Sequence, residues 1–337
     1  MEKVVEKTLN QSTSRGLPGI NRKLLYVGFL IIAMLLPFFS GPYWLDVGFL
    51  AVFYVVLGLG LNIVVGYAGL LDLGYSAFFA VGAYTTGILM TQFHMNFWIT
   101  MLLGGLLALI VGVIVGAPTL RLRSDYLAIV TLGFGEIVRI SAKNFSFTGG
   151  ASGIYGILSP FPKPQMVNGI MINNLSYCYW LILLLAIITM IASKRLTQSR
   201  MGRSWAYIRE DEDAAEAMGI NRTRSKLAAY AIGAMFGGLA GSVFAIKMTA
   251  IAPESFNFMQ SVMILLAVIL GGVGRISGVV IGAVLVIIIP ELLRDLDKVM
   301  HMGINFDQYR FLIFGIALIF LMIFRPQGIV PDKEVEE

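Results

Sequence analysis

Ten stretches of this chain stay apolar for longer than an ordinary soluble element requires. They cover residues 24–40, 45–65, 73–91, 97–117, 126–143, 177–193, 226–250, 260–272, 276–293 and 309–324. A helix rises about 1.5 Å per residue, so about 20 apolar residues cross a hydrocarbon core about 30 Å thick. In that solvent every backbone N–H and C=O must find its partner inside the protein, which leaves helices and closed barrels. The runs are continuous rather than alternating, which argues against a barrel. Composition agrees: 57% of the residues are hydrophobic and 13% charged, where a soluble domain carries about 25% charged residues. The expected fold is an all-α polytopic membrane protein of about ten transmembrane helices, embedded in a lipid bilayer.

The basic residues set the orientation, because cytoplasmic segments collect Lys and Arg. With a cytoplasmic N-terminus, 18 of the 25 Lys and Arg fall on inner segments and six on outer ones, with Arg139 inside a span. The chain then divides into a cytoplasmic N-terminal tail (1–23), a membrane domain (24–325) holding one long cytoplasmic loop (194–226), and a cytoplasmic C-terminal tail (326–337). The weak point is 260–272. Thirteen residues rise only about 20 Å, and "GGVGRISG" (Gly271–Gly278) breaks the run. Two crossings and a re-entrant hairpin both fit. Two crossings are preferred, because a hairpin would place Arg275 in mid-membrane. "GYAGLLDLG" (Gly66–Gly74) and "GGVGRISG" share a Gly-x-x-Gly turn, although 37 glycines make such echoes cheap.

Several classes of function are disfavoured. The basic tail is followed by an apolar run without a small-residue cleavage site, so no cleaved signal is expected. Cys178 is the sole cysteine, and His94 and His301 are far apart, so neither a disulfide nor a metal site is expected. The net charge of +5 follows membrane topology and does not point to nucleic acid. The chain has no Gly-Lys dipeptide, so it holds no P-loop. A proton-coupled carrier needs acids across several spans, and an embedded enzyme needs clustered reactive groups; neither pattern is present.

Within the spans, Gly112-x3-Gly116 and Gly233-x3-Gly237-x3-Gly241 form seams of small residues that let helices approach closely. Glu136 and Arg139 lie three apart on one helix face. They are candidates for a substrate path, with a structural ion pair as the alternative. Gly66 and Gly69 at the inner turn, and Thr148, Gly149, Gly150 and Ser152 in "FTGGASGIYGI", are further path candidates; the latter stretch also reads as a plain flexible turn. Asp72 is placed to cap the helix that follows it.

The most soluble-looking stretch, "SRMGRSWAYIREDEDAAEAMGINRTRSK" (Ser199–Lys226), lies in the predicted cytoplasmic loop. "REDEDAAEAMGI" reads as a short helix. Asp211 and Asp213 favour its first turn, the alanines favour its body and Gly219 stops it. The small face of Ala214, Ala215 and Met218 suits a shallow groove on another protein, or a solvated helix at the membrane surface.

Asp213-Ala214-Ala215-x3-Gly219 resembles the EAA loop of bacterial ABC importer permeases, with Asp where Glu is usual. "GYAGLLDLGYSAFFAVGAY", "RLRSDYLAIVTLGFGEIVRI", "TGGASGI" and "SRMGRSWAYIREDEDAAEAMGIN" are similar to branched-chain amino acid permeases of the LivM type, over about Gly66 to Pro326. The resemblance implies an ABC importer permease bundle in the bacterial plasma membrane, without enzymatic activity of its own. It further implies a homologous permease partner, two ATP-binding subunits that carry the ATP and Mg, and an external solute-binding protein delivering leucine, isoleucine or valine. Asp213, Ala214, Ala215, Glu216 and Gly219 would then couple this chain to the ATPase. Related permeases handle urea, short amides or other amino acids. An ion-coupled secondary amino acid carrier is the alternative from another class.

Overall fold

A computed structural model describes residues 33–119, 124–162, 165–167 and 170–300, together with 315, 316, 319, 328 and 329. Ten helices are labelled here: α1 (Pro42–Asn62), α2 (Ser76–Thr91), α3 (Phe97–Thr119), α4 (Ser124–Asn144), α5 (Asn174–Gln198), α6 (Arg200–Glu210), α7 (Glu212–Ala217), α8 (Arg222–Met248), α9 (Phe258–Gly271) and α10 (Ile276–Met300). Two two-stranded ribbons accompany them. In one, β1 (Ile154–Tyr155) pairs antiparallel with β4 (Ala250–Ile251); in the other, β2 (Gln165–Val167) pairs with β3 (Ile170–Ile172).

Eight of the ten expected apolar runs are the helices α1 to α5 and α8 to α10. The run 24–40 is helical at 33–39, its earlier residues lying outside the described set, as does most of 309–324. Among the described residues, five helical segments are long and apolar enough to cross a membrane: Pro42–Tyr67, Phe97–Thr119, Asn174–Gln198, Arg222–Met248 and Pro253–Gly271. α4 is also long, at 21 residues, but carries Glu136, Arg139 and Lys143.

α8 is the axis of the bundle, packed against α1, α2, α3 and α5. Its glycines make this possible. A Cβ on Gly82 would run into the carbonyl of Gly238, one on Gly241 into the carbonyl of Phe79, and one on Gly112 would come within 2.7 Å of the Ala234 methyl. Apolar lipid gives helices no hydrophobic reason to associate, so close backbone contact and dispersion must hold them. Ser242 adds a hydroxyl that donates to Gly238 O at 3.1 Å and Gly82 O at 3.3 Å. Phe53, Phe79, Phe244 and Phe256 cluster beside Gly241 of α8, with ring centroids 4.9 to 6.3 Å apart. Edge and offset arrangements of this kind contribute about 0.5–1.5 kcal/mol per pair beyond area burial.

α10 runs antiparallel to α1 over its whole length. Asn62 Oδ1 accepts from Gly274 N at one end, and the Tyr43 hydroxyl meets Glu291 and Arg294 at the other. α10 thus reaches from one end of α1 to the other, farther than one arm of a shallow hairpin would. α9 is different. Its 14 residues rise about 21 Å. Its first turn contacts the middle of α1, where the Tyr54 hydroxyl donates to Gln260 Oε1 at 2.6 Å. The other half of that traverse is irregular, through β4 and the 3-10 turn Pro253–Phe256.

α2 also starts inside the bundle. α1 ends in a π-helical turn (Ile63–Tyr67), and the chain folds back through residues 68–75 before α2 begins at Ser76. Gly74 packs against the backbone of Thr131, inside α4, where a Cβ could not fit. The Tyr75 hydroxyl donates to Gly233 O at 2.8 Å, eleven residues or about 16 Å from the first residue of α8. Two short helices therefore begin side by side in the interior, and Ser76 N donates to Ser261 Oγ at 2.9 Å between them.

Candidate functional site

The charged loop builds a rigid knob at one end of the bundle. Ser199 caps α6 by accepting from Gly202 N at 3.2 Å. The sequence reading foresaw α7 but not α6, although its signal was present: Trp205 and Ile208, three apart, are both buried against the spans. Trp205 Nε1 donates to Ser225 O at 2.8 Å, fastening α6 to the start of α8. Asp211 then caps α7, its Oδ1 accepting from Asp213 N at 2.9 Å and Ala214 N at 3.0 Å. Gly219, at φ +84°, ends the turn in a conformation that favours glycine, and Ile220 N returns to Ala215 O at 3.1 Å. Lys226, its side chain only 4% exposed, pairs with Glu212, and Arg222 pairs with Asp213 at 3.4 Å and Glu216 at 3.3 Å.

This places each expected coupling residue. Asp213, Ala214, Glu216 and Gly219 are exposed, but Ala215 is buried against its own chain. The small face read as Ala214, Ala215 and Met218 is therefore split: the outward one is Ala214, Ala217 and Met218, with Met218 71% exposed. Consecutive residues of a helix point about 100° apart, so Ala214 and Ala215 of α7 fall on different sides.

The path candidates separate into two groups at opposite ends. At the end away from the knob, Arg139 binds Glu136 at 2.8 Å and Glu254 at 3.0 Å, and Lys143 reaches Glu254 at 3.4 Å. The pair is thus part of a four-residue network tying α4 to the turn Pro253–Phe256. Glu254 lies 115 residues from Arg139 and gave no local signal in the sequence. Thr148 is buried, and its hydroxyl donates to Ala142 O and Phe145 O, both at 2.7 Å. Gly149 and Gly150 both take positive φ and turn the chain toward β1, while Ser152 is exposed. Gly66 and Gly69 lie at the knob end instead, where Arg209 Nη1 donates to Gly66 O at 2.6 Å. The two echoing Gly-x-x-Gly turns meet there, through the bond from Gly274 N to Asn62 Oδ1 at 2.8 Å.

Between the two ends, Asp72 is wholly buried. Its Oδ1 accepts from Gly74 N at 2.8 Å, within the turn before α2; the capping role expected for it is not found, because α2 starts only at Ser76, with Tyr75 as its N-cap and no side-chain cap. Tyr230 and Thr131 lie beside its carboxylate.

The geometry is that of a helical membrane bundle with broken spans, a knob of charged helices at one end and an ion-pair network at the other. A family model described as "Branched-chain amino acid transport system / permease component" matches residues 43–323. The chain belongs to this family. It is 38% identical to the "High-affinity branched-chain amino acid transport system permease protein LivM" of Salmonella typhimurium, over 93% of this chain and 76% of that one. The LivM protein of Escherichia coli strain K12 gives the same figures. The corresponding E. coli LivH permease is 24% identical, over 84% of this chain and 93% of its own. No solved structure matches. As a permease component of a branched-chain amino acid transport system, the chain is a multi-pass membrane protein and a transport subunit.

Proposed function

We propose that this permease is one half of the pore of an ATP-driven importer of leucine, isoleucine and valine. Its companions are a homologous permease, two ATP-binding subunits and an external solute-binding protein. The knob of α6 and α7 faces the cytoplasm with both chain termini, in the bacterial inner membrane. ATP and Mg2+ belong to the ATP-binding subunits, which close on each other and push against α7.

One observation carries this reading. α7 offers Ala214, Ala217 and Met218 outward on a helix held by Asp211, Trp205 and Lys226, so a load applied there reaches α8 rather than being absorbed by a loose loop. α8 touches most of the bundle, so its tilt changes which end is open. In secondary transporters, broken spans at the membrane midplane hold the cargo, and we take the same use of them here. Glu136, Arg139, Thr148, Gly149, Gly150 and Ser152 border the outer mouth, and Gly66 and Gly69 the inner one. Named relatives that transport branched-chain amino acids support the substrate.

The test is reconstitution with the cognate ATP-binding and solute-binding proteins in liposomes. ATP-dependent uptake of labelled leucine, competed by isoleucine and valine but not by urea or acetamide, is the expected result. Uptake that follows an imposed ion gradient without ATP would overturn it.

A further inference from the structure

We propose that Arg209 is the positioning residue that carries the movement of α7 to the inner ends of α1, α9 and α10. This rests on the transport reading above and adds the route by which force enters the inner ends of the spans. Arg209 stands in the last turn of α6, two residues before the cap of α7. Its Nη1 donates at 2.6 Å to Gly66 O, in the π-helical turn that ends α1. Carbonyls at a helix C-terminus lack in-helix donors and carry partial negative charge, so a guanidinium is well matched to them.

The site around this side chain is shaped by absent Cβ atoms. One on Gly69 would lie 3.0 Å from Arg209 Cγ, and one on Gly274 would lie 3.0 Å from Nη1 and 3.4 Å from Gly66 O. Both glycines have positive φ, +69° and +86°. A Cβ on Gly66 would stand 2.7 Å from Gly274 N, the group already bonded to Asn62 Oδ1 at 2.8 Å. Arg209 thus lies over the joint where the end of α1 is stapled to the turn between α9 and α10. The rest of the knob is tied to α8 through Trp205, Lys226 and Arg222. A push on α7 that rotates α6 about those ties swings Arg209, and the joint goes with it. The two glycine turns that echo each other in the sequence are the two sides of this cradle.

The experiment uses the whole reconstituted transporter and reads leucine uptake, ATP hydrolysis and thermal stability together. R209A should lower uptake about tenfold or more, out of proportion to a modest fall in melting from the one lost hydrogen bond, while ATP-subunit binding and hydrolysis stay at wild-type level. R209K, which keeps one donor, should recover part of the uptake. Wild-type uptake in R209A overturns the proposal, as does a parallel fall of uptake, hydrolysis and melting, which marks a merely structural role. Absence of ATP-driven uptake in the unaltered transporter would instead defeat the transport reading itself.

Discussion

Two glycines, Gly82 and Gly133, should respond in opposite directions to the same substitution. Gly82, in α2, sits where a Cβ would strike the carbonyl carbon and oxygen of Gly238. That obstacle is helix backbone and cannot rotate away, so α2 and α8 must separate. Forcing extra atoms into a close-packed contact costs about 1–3 kcal/mol. The gain in helix propensity from Gly to Ala is at most about 1 kcal/mol, so the net effect of Gly82→Ala is destabilising by up to about 2 kcal/mol. Gly133, in α4, has no heavy atom within 4 Å of an added Cβ. Gly133→Ala therefore retains the propensity gain and should be neutral or stabilising by up to about 1 kcal/mol. Thermal unfolding in one detergent, followed by loss of the monodisperse peak, ranks the two against the parent. Gly82→Ala melting at or above Gly133→Ala would refute the claim that backbone contact along α8 holds the bundle together.

Further consequences follow from the two ends of the molecule. Trp205→Ala removes a fully buried indole and its bond to Ser225 O; a loss of about 3–5 kcal/mol is expected, measured as a large drop in melting temperature and in yield. Met218→Arg alters an outward residue, so melting should not change while co-purification of the ATP-binding subunit falls. Intact co-purification would place the docking face elsewhere. Glu136→Gln weakens a partly exposed pair, with 30% of the Glu136 side chain and 21% of that of Arg139 open to the surface, so its stability cost is about 1 kcal/mol. Leucine uptake should fall by more than that cost explains; unchanged uptake with a lower melting temperature would show the pair to be structural.

The helices were legible in the sequence because lipid allows few alternatives: long apolar runs with polar breaks become helices, and eight did so. α7 was legible for local reasons, since Asp211 and Gly219 act within their own turn. What stayed hidden is what distant parts of the chain do together. Ala215 belongs to the same short motif as Ala214, yet faces inward, because only α6 and α8 decide which side of α7 is covered. Glu254 completes the Arg139 network from another element. The start of α2 at Ser76 depends on Ser261 and Gly233, far along the chain. The echo between the Gly66 and Gly271 turns looked like chance among many glycines, and only the bond from Gly274 to Asn62 gives it a physical content.

The role of α7 is tested most directly by replacing residues 211–219 with a flexible Gly-Ser segment of equal length and measuring ATP-driven leucine uptake by the complete transporter in liposomes. Complete loss of uptake, with the bundle still folded and inserted, is the result expected here. Uptake at the wild-type rate would contradict it, because no rigid helix would then be needed between the ATPase and the spans.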